Sequence, residues 1–516
     1  MESRVKKSMT NAQVNLIFYI ILLVATFFSR KIFIDSLGNE FVGLTSTLQN
    51  ILGLFNLAEL GISSAIAFSL YKPLFDKNHE KIIELISIFG YLYQRIGYLI
   101  TSIGVIIALF LPFIFKKTPL DLGIIYFAYF SYLIISLFTY FFNYKQTLLA
   151  ADQKEYYVTI YYQSANIIKI GVQIVLLLQY QNPYIWLLIE LLFGIIYCFI
   201  LDNRVKKIYP WLSSSIQQGK NSFSRHPEII KYIKQIFVHK LASVALLNTS
   251  SIFIYAFGSL SIVTYFMNYN MVILKVDALI TQLLNSTSAG VGNLVAEGNI
   301  NKIRTILNEL IAVRYIFTII LSLCIYFCIN PFIEIWLGNH YILSNYIIIL
   351  IITSFYLKQT GEVISQFLRA HGLFYDIWAP LTEACINIIV SIIGGLLGGL
   401  EGVLWGPIIS MLIIVHIWKP YFLYKKGVHL PIYSYWKKIA LYTFILFMVF
   451  FCYNYIKINY TNNLFKGDIV SFILYCLITF IVISFLTISL MYLCSSATRA
   501  FIQRIYIIYL QDKNNK

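Results

Sequence analysis

From Val14 to Leu493 the chain is a succession of apolar runs, and no polar stretch between them is long enough to fold separately. A hydrocarbon core of about 30 Å needs about 20 apolar residues per helix, and backbone in lipid must satisfy its own hydrogen bonds, so runs of this length dictate membrane-spanning helices. Fourteen spans fit, near residues 13–34, 42–70, 84–115, 120–144, 156–179, 184–201, 231–257, 260–292, 305–330, 343–368, 376–397, 401–422, 436–456 and 468–493. A soluble domain is excluded by composition: 59% of the 516 residues are hydrophobic and only 12% are charged. The first run follows a basic start (Arg4, Lys6, Lys7) but has no small-x-small cleavage site, so it reads as an uncleaved first span. The predicted fold class is therefore all-α: a polytopic membrane protein of about 14 transmembrane helices.

The formal net charge of +16 reports topology, not nucleic acid. Of the 39 Lys and Arg, 27 fall in the two termini or in and at the edges of every second connection, and only Lys116, Lys117, Lys457 and Lys466 fall in the alternate connections. The positive-inside rule then puts both termini in the cytoplasm, which requires an even number of spans. The seven cysteines sit in or beside apolar runs with no CxxC spacing, so neither a metal centre nor a disulfide framework is expected.

An internal repeat organises the chain. KIFIDSLG (31–38) matches SIFIYAFG (251–258) at an offset of 220, and within one residue of that offset NHEKII (78) matches NINKIR (299), LAAD (149) matches LRAH (368), and Trp186 meets Trp405. Two six-helix lobes follow: an N-lobe at 1–201 and a C-lobe at 231–423, joined by a cytoplasmic linker at 202–230. Two further spans occupy 424–493 and a cytoplasmic tail 494–516. Six is even, so the lobes insert with one orientation and are expected to enclose a cleft between them.

Eight cations lie inside the spans: Arg30, Lys31, Arg95, Lys169, Lys240, Lys275, Arg314 and Lys358. An ionised group at mid-bilayer costs about 3 kcal/mol on insertion scales, so each calls for a partner or a use. Lys31 is placed to snorkel to the interface, and Lys358 with Glu362, four residues on, makes an expected same-face pair. Lys169 and Lys275 lie near the middle of their spans, and Arg30 reaches that depth if its span tilts. Together with Lys240 they point to a cationic, anion-binding cleft. Glu59, Glu190, Asp277, Glu362 and Glu383 are the intramembrane carboxylates; Glu59, Asp277 and Glu362 are the candidates for a coupling-ion (Na+ or H+) or counter-ion role. No HExxH, P-loop or nucleotide fingerprint is present, so no catalytic residue, metal or cofactor is assigned.

The runs SRKIFIDSLGNEFVGL, LAELGISSAI, LYKPLFDKNHEKI and AGVGNLVAEGN resemble the polysaccharide-transporter (Wzx-type) branch of the multidrug/oligosaccharidyl-lipid/polysaccharide exporter superfamily, over residues 10 to about 425. That resemblance implies a non-enzymatic flippase of the bacterial inner membrane, carrying undecaprenyl-pyrophosphate-linked oligosaccharide for O-antigen, lipopolysaccharide or capsule synthesis from the cytoplasmic to the periplasmic leaflet by alternating access. It implies membrane lipid and polysaccharide polymerase machinery as further partners, and Arg30, Lys169, Lys240 and Lys275 as the lobe-facing basic positions. Two other readings stay open: a cation-coupled multidrug exporter of the same fold, whose site should be acidic, and a membrane-embedded polysaccharide polymerase or ligase, which should carry long outward loops.

Overall fold

A computed structural model describes residues 4–55, 62–152, 154–226, 250–285, 288–373, 376, 378–461, 465 and 467–514. The described residues form helices joined by short turns, with no strand among them. By compactness the chain divides into two units, Met1–Thr264 and Tyr265–Lys516. The first holds α1 (Arg4–Gly53), α2 (Ile62–Phe75), α3 (His79–Ile114), α4 (Leu122–Phe142), α5 (Gln146–Ala151), α6 (Glu155–Tyr180), α7 (Pro183–Ile208), α8 (Ile216–Phe223), a helical stretch at 250–257 and the start of α9 (Leu260–Asn285). The second holds the rest of α9, then α10 (Ser288–Glu297), α11 (Ile300–Leu337), α12 (Asn345–Ala370), α13 (Trp378–Met411), α14 (Tyr433–Ile456), α15 (Ile469–Cys494) and α16 (Ser496–Asn514). Beyond Met411 the chain stays helical to Val428, with π-helical turns at Leu412–Trp418 and Tyr424–Val428.

Among the described residues, ten helices are long and apolar enough to cross a membrane. The difference between these ten helices and the fourteen expected spans has local causes. Span 13–34 and the first part of span 42–70 meet in α1, whose backbone breaks at Gly38 (φ 78°), while residues 62–70 of the second belong to α2. Spans 376–397 and 401–422 fall in one helical run, Trp378–Val428, whose backbone breaks at Gly398 and Gly399. Most of span 231–257 lies outside the described residues, and α9, which carries Lys275 and Asp277, is not among the ten.

At Gly398 and Gly399 the chain reverses within two residues, Gly399 taking φ 56° and ψ −130°, a conformation that glycine adopts without a Cβ clash. The two arms then run back along each other, as Ser391 Oγ donates to the Val403 carbonyl at 3.0 Å. They are so close that a Cβ on Gly402 would lie 1.8 Å from the Gly394 carbonyl oxygen. Backbone-to-backbone approach of this kind depends on small residues. Gly402→Ala should therefore abolish the monodisperse peak of the detergent-solubilised protein in size-exclusion chromatography, and an unchanged peak would mean that the arms are not in contact.

The repeat is visible as shared punctuation. Asn78 caps α3 by accepting from the Lys81 N–H at 2.9 Å, and Asn299 caps α11 by accepting from the Lys302 N–H at 3.1 Å. Each of these long helices carries a proline toward its far end, Pro112 and Pro331. The LAAD and LRAH segments close their helices alike: Asp152 N–H donates to Leu148 O and Lys154 N–H to Leu149 O, just as His371 N–H donates to Phe367 O and Leu373 N–H to Leu368 O.

The expected linker, 202–230, is described as far as 226, and it is docked rather than loose. α8 lies against α3 so tightly that a Cβ on Gly219 would sit 1.9 Å from Ser87 O, while the Ser215 N–H donates to Ser87 Oγ at 3.1 Å. In the second unit α14 and α15 join the core around α11. Tyr453 OH and Thr479 Oγ1 are 2.6 Å apart, Tyr475 OH donates to the Phe327 carbonyl at 3.3 Å, and Arg504 of α16 pairs with the buried Glu309 at 2.8 Å.

Candidate functional site

In the first unit, Lys169 of α6 and Glu190 of α7 form an ion pair at 2.7 Å, their side chains 17% and 15% exposed. Gln173, one turn after Lys169, donates to the other carboxylate oxygen at 3.0 Å and to the Trp186 carbonyl at 3.2 Å. Both oxygens of Glu190 are thus satisfied inside the bundle, the condition under which a buried carboxylate is tolerated. The ring of Trp186 packs edge-on against Phe33 and Phe41 of α1, both at 5.6 Å. The turn that makes the pair is short: Gln181 takes φ 47°, the Asn182 side chain caps α7, and Pro183 opens it. Gln173 and Glu190 lie at equal distances from that turn, so an antiparallel hairpin brings them to one depth, and Lys169, one turn further along the same face of α6, reaches back to the carboxylate.

In the second unit three helices converge on one carboxylate. Asp277 of α9 accepts from Lys358 Nζ at 2.9 Å and from Gln359 Nε2 at 2.6 Å, both on α12. Arg314 of α11, only 4% exposed, donates through Nε to the Gln359 backbone carbonyl at 2.9 Å. The expected Lys358–Glu362 pair does not form. Lys358 reaches across to Asp277, and Glu362 instead meets Arg369 at 2.7 Å, because a long cation on a packed helix can span to a neighbour as easily as along its own face. Glu383 faces Lys419 at 3.4 Å. The buried His416 sits in the π-helical turn with Nε2 2.9 Å from the Leu357 carbonyl and 3.4 Å from Thr360 Oγ1. Gly361 makes room for that turn: a Cβ there would clash with Val415.

The other expected residues are placed as follows. Arg30 on α1 and Lys275 on α9 are half-buried, and Lys31 is exposed. Lys240 and Glu59 lie outside the described residues. Gln173, Gln359 and Arg314 were not singled out for the site by sequence. The first two show only as polar residues within a turn of a mid-span Lys, at i+4 and i+1.

Beside the Arg314 cluster runs a groove of about 530 Å³ formed by α11, α12, the Leu412–Trp418 turn and α14. Its walls are aliphatic and aromatic, including Leu323, Tyr326, Ile352, Leu446 and Phe450, with Ser322, Thr353, Thr443 and His416 as the few polar groups. Ile349, Leu412, Phe447 and Phe451 line it too and are themselves well exposed, so its mouth opens on the apolar flank of the bundle.

No protein-family model matches the chain, and no curated protein matches it either. Among solved structures it is similar to the lipid II flippase MurJ in an inward closed conformation, at 17% identity and TM-score 0.61 over 92% of this chain and 98% of that one. It is similar also to an inward-facing multidrug resistance MATE family transporter of the MOP superfamily, at 13% identity and TM-score 0.56 over 81% and 99%. A third is the Vibrio cholerae MATE transporter VcmN in its bent form, at 14% identity and TM-score 0.51 over 82% and 98%. At such identities the likeness is one of fold. The chain is a multi-pass, all-α membrane protein with this transporter fold.

Proposed function

We propose that this protein is a flippase for undecaprenyl-pyrophosphate-linked oligosaccharide, of the polysaccharide-transporter (Wzx-type) kind. It works in a bacterial inner membrane, moving its substrate from the cytoplasmic to the periplasmic leaflet by alternating access of two lobes. The observation that carries the reading is the apolar groove of about 530 Å³ that opens sideways from the second unit. Within a bilayer the hydrophobic effect gives a prenyl chain little reason to leave lipid, so such a groove acts by packing and by fixing position. It suits a substrate whose tail stays in the membrane plane while its head travels. The likeness in fold to a lipid II flippase supports a lipid-linked substrate.

Charge distribution supports an anionic head. Of the five intramembrane carboxylates, the four described are each faced by a cation: Glu190 by Lys169, Asp277 by Lys358, Glu362 by Arg369 and Glu383 by Lys419. A drug exporter that attracts cations needs a carboxylate not already neutralised. In the flippase reading Arg30, Lys240 and Lys275 replace the hydration of the pyrophosphate, joined by Lys169 when it leaves Glu190. An interior-negative potential favours outward movement of the anion by about 2.3 kcal/mol per charge per 100 mV. Asp277 and Glu362 act as counter-ions to Lys358 and Arg369, Glu59 is the position for a coupling Na+ or H+, and the polymerase machinery receives the product.

Proteoliposomes holding the purified protein decide between the readings. A fluorescent undecaprenyl-pyrophosphoryl oligosaccharide should become accessible in the opposite leaflet faster than in protein-free vesicles, while a cationic dye is not transported. Dye transport without glycan flipping would refute the proposal.

A further inference from the structure

Between the start of α3 and the docked segment 213–225 lies a second cleft, of about 940 Å³, wholly within the first unit and remote in character from the apolar groove. One wall is the first turns of α3 and the other is α8 with the residues flanking it. Lys81 on the α3 wall is already neutralised: its Nζ donates to Glu84 at 2.9 Å and lies 3.0 Å from His226 Nε2, and that ring is in turn 3.3 Å from Glu84. What remains toward the opening is Glu80, Ser213, Gln217, Gln218, Asn221 and Arg225. Ser213, Gln217, Gln218, Asn221 and Arg225 are all exposed. Immediately beside the cleft-lining Asn78, the His79 ring stacks flat on Trp211, with centroids 4.0 Å apart and 3° between the planes.

This inventory selects among ligand classes. Amide side chains offer a donor and an acceptor side by side, and hydroxyls offer both on one atom, which matches the alternating donors and acceptors of a sugar ring. A phosphate is disfavoured, since Glu80 and Glu84 stand on the wall and Lys81 is paired. A lipid tail is disfavoured by the same polar surface. The volume lies within the range of small-ligand sites.

We propose that the cleft between α3 and α8 is a carbohydrate subsite. It holds the glycan of the lipid-linked substrate on the side of the membrane where α3 begins, which the charge distribution makes the cytoplasmic side. The proposal rests on the flippase reading for the source of the glycan, but its binding chemistry stands on the cleft alone. Gln218 and Asn221 project from α8 as the hydrogen-bonding edge, and Gly219 between them fixes α8 on α3 at the spacing that forms the cleft.

The test uses the full-length protein in lipid nanodiscs and the free oligosaccharide released by mild acid from the lipid-linked pool of the cells that make the protein. The probe therefore carries no phosphate and no tail. Saturation-transfer NMR should show contact between protein and glycan, and the double variant Gln218→Ala/Asn221→Ala, whose altered side chains are exposed, should weaken binding roughly tenfold with an unchanged melting profile. Absence of saturation transfer from the wild type, or equal transfer from the double variant, overturns the proposal. The same preparations are assayed for flipping. Flipping without glycan contact removes this subsite and leaves the flippase reading intact, whereas contact without flipping does the reverse.

Discussion

Glu190→Ala will destabilise the protein by about 3–5 kcal/mol, the cost of leaving a buried charge without its partner. Lys169 and Gln173 both point their donors at this carboxylate, so its removal strips the ammonium of the acid it faces. The measurement is thermal unfolding in detergent, followed by loss of the monodisperse species. The double variant Lys169→Met/Glu190→Met should recover most of the loss, because two apolar chains of similar volume remove the desolvation problem together with the attraction. If the single and double variants melt alike, the two residues are not coupled. Flipping separates a structural pair from a functional one: a stable double variant that no longer moves lipid-linked glycan assigns Lys169 to the substrate, and one that moves it normally confines the pair to holding α6 on α7.

Thr353→Trp will block the groove. An indole at this position projects into the space between α11, α12 and α14 that the flippase reading gives to the prenyl chain. Flipping of the full-length undecaprenyl substrate should fall by roughly tenfold or more, equivalent to at least about 1.4 kcal/mol of lost interaction in the rate-limiting state. A substrate analogue with a short prenyl tail should be much less affected, since it leaves the filled part of the groove empty in any case. Equal inhibition of both substrates would point to a distorted bundle, and undiminished flipping of the long one would remove the groove from the transport path.

Much of the fold was legible because lipid leaves a chain few options. Span positions follow from hydrocarbon thickness, so most of the apolar runs have a long helix where the residues are described. The glycine-rich stretch 394–406 holds a reversal of direction at Gly398–Gly399. The repeated Asn-x-x-Lys pattern at 78 and 299 is a cap that sequence spacing alone can suggest. Partners of the intramembrane charges were far less legible. Along one helix the neighbour of Lys358 is Glu362, but the rotation of α12 against α9 gives it Asp277, and no local pattern encodes that rotation. The contact of Gln173 with Glu190 was accessible in principle through the short turn between α6 and α7, because equal distance from a hairpin turn implies equal depth, and Lys169 shares the face of Gln173 one turn away. The groove was not accessible at all. It arises from how α11, α12 and α14 diverge around the π-helical turn at Leu412–Trp418, and an apolar residue facing a groove reads the same as one facing lipid.

The paired asparagine caps carry a consequence of their own. They, together with the matching helix ends after LAAD and LRAH, look like surviving marks of an ancestral gene duplication, in which the signals for where helices start and stop outlasted the side chains between them. Where the early half has Arg30 the later half has Ser250, and the buried Trp186 answers to a partly exposed Trp405. The halves have therefore kept a common grammar while dividing the labour, and a chimaera made of two copies of either one would inherit the scaffold without the specialisation.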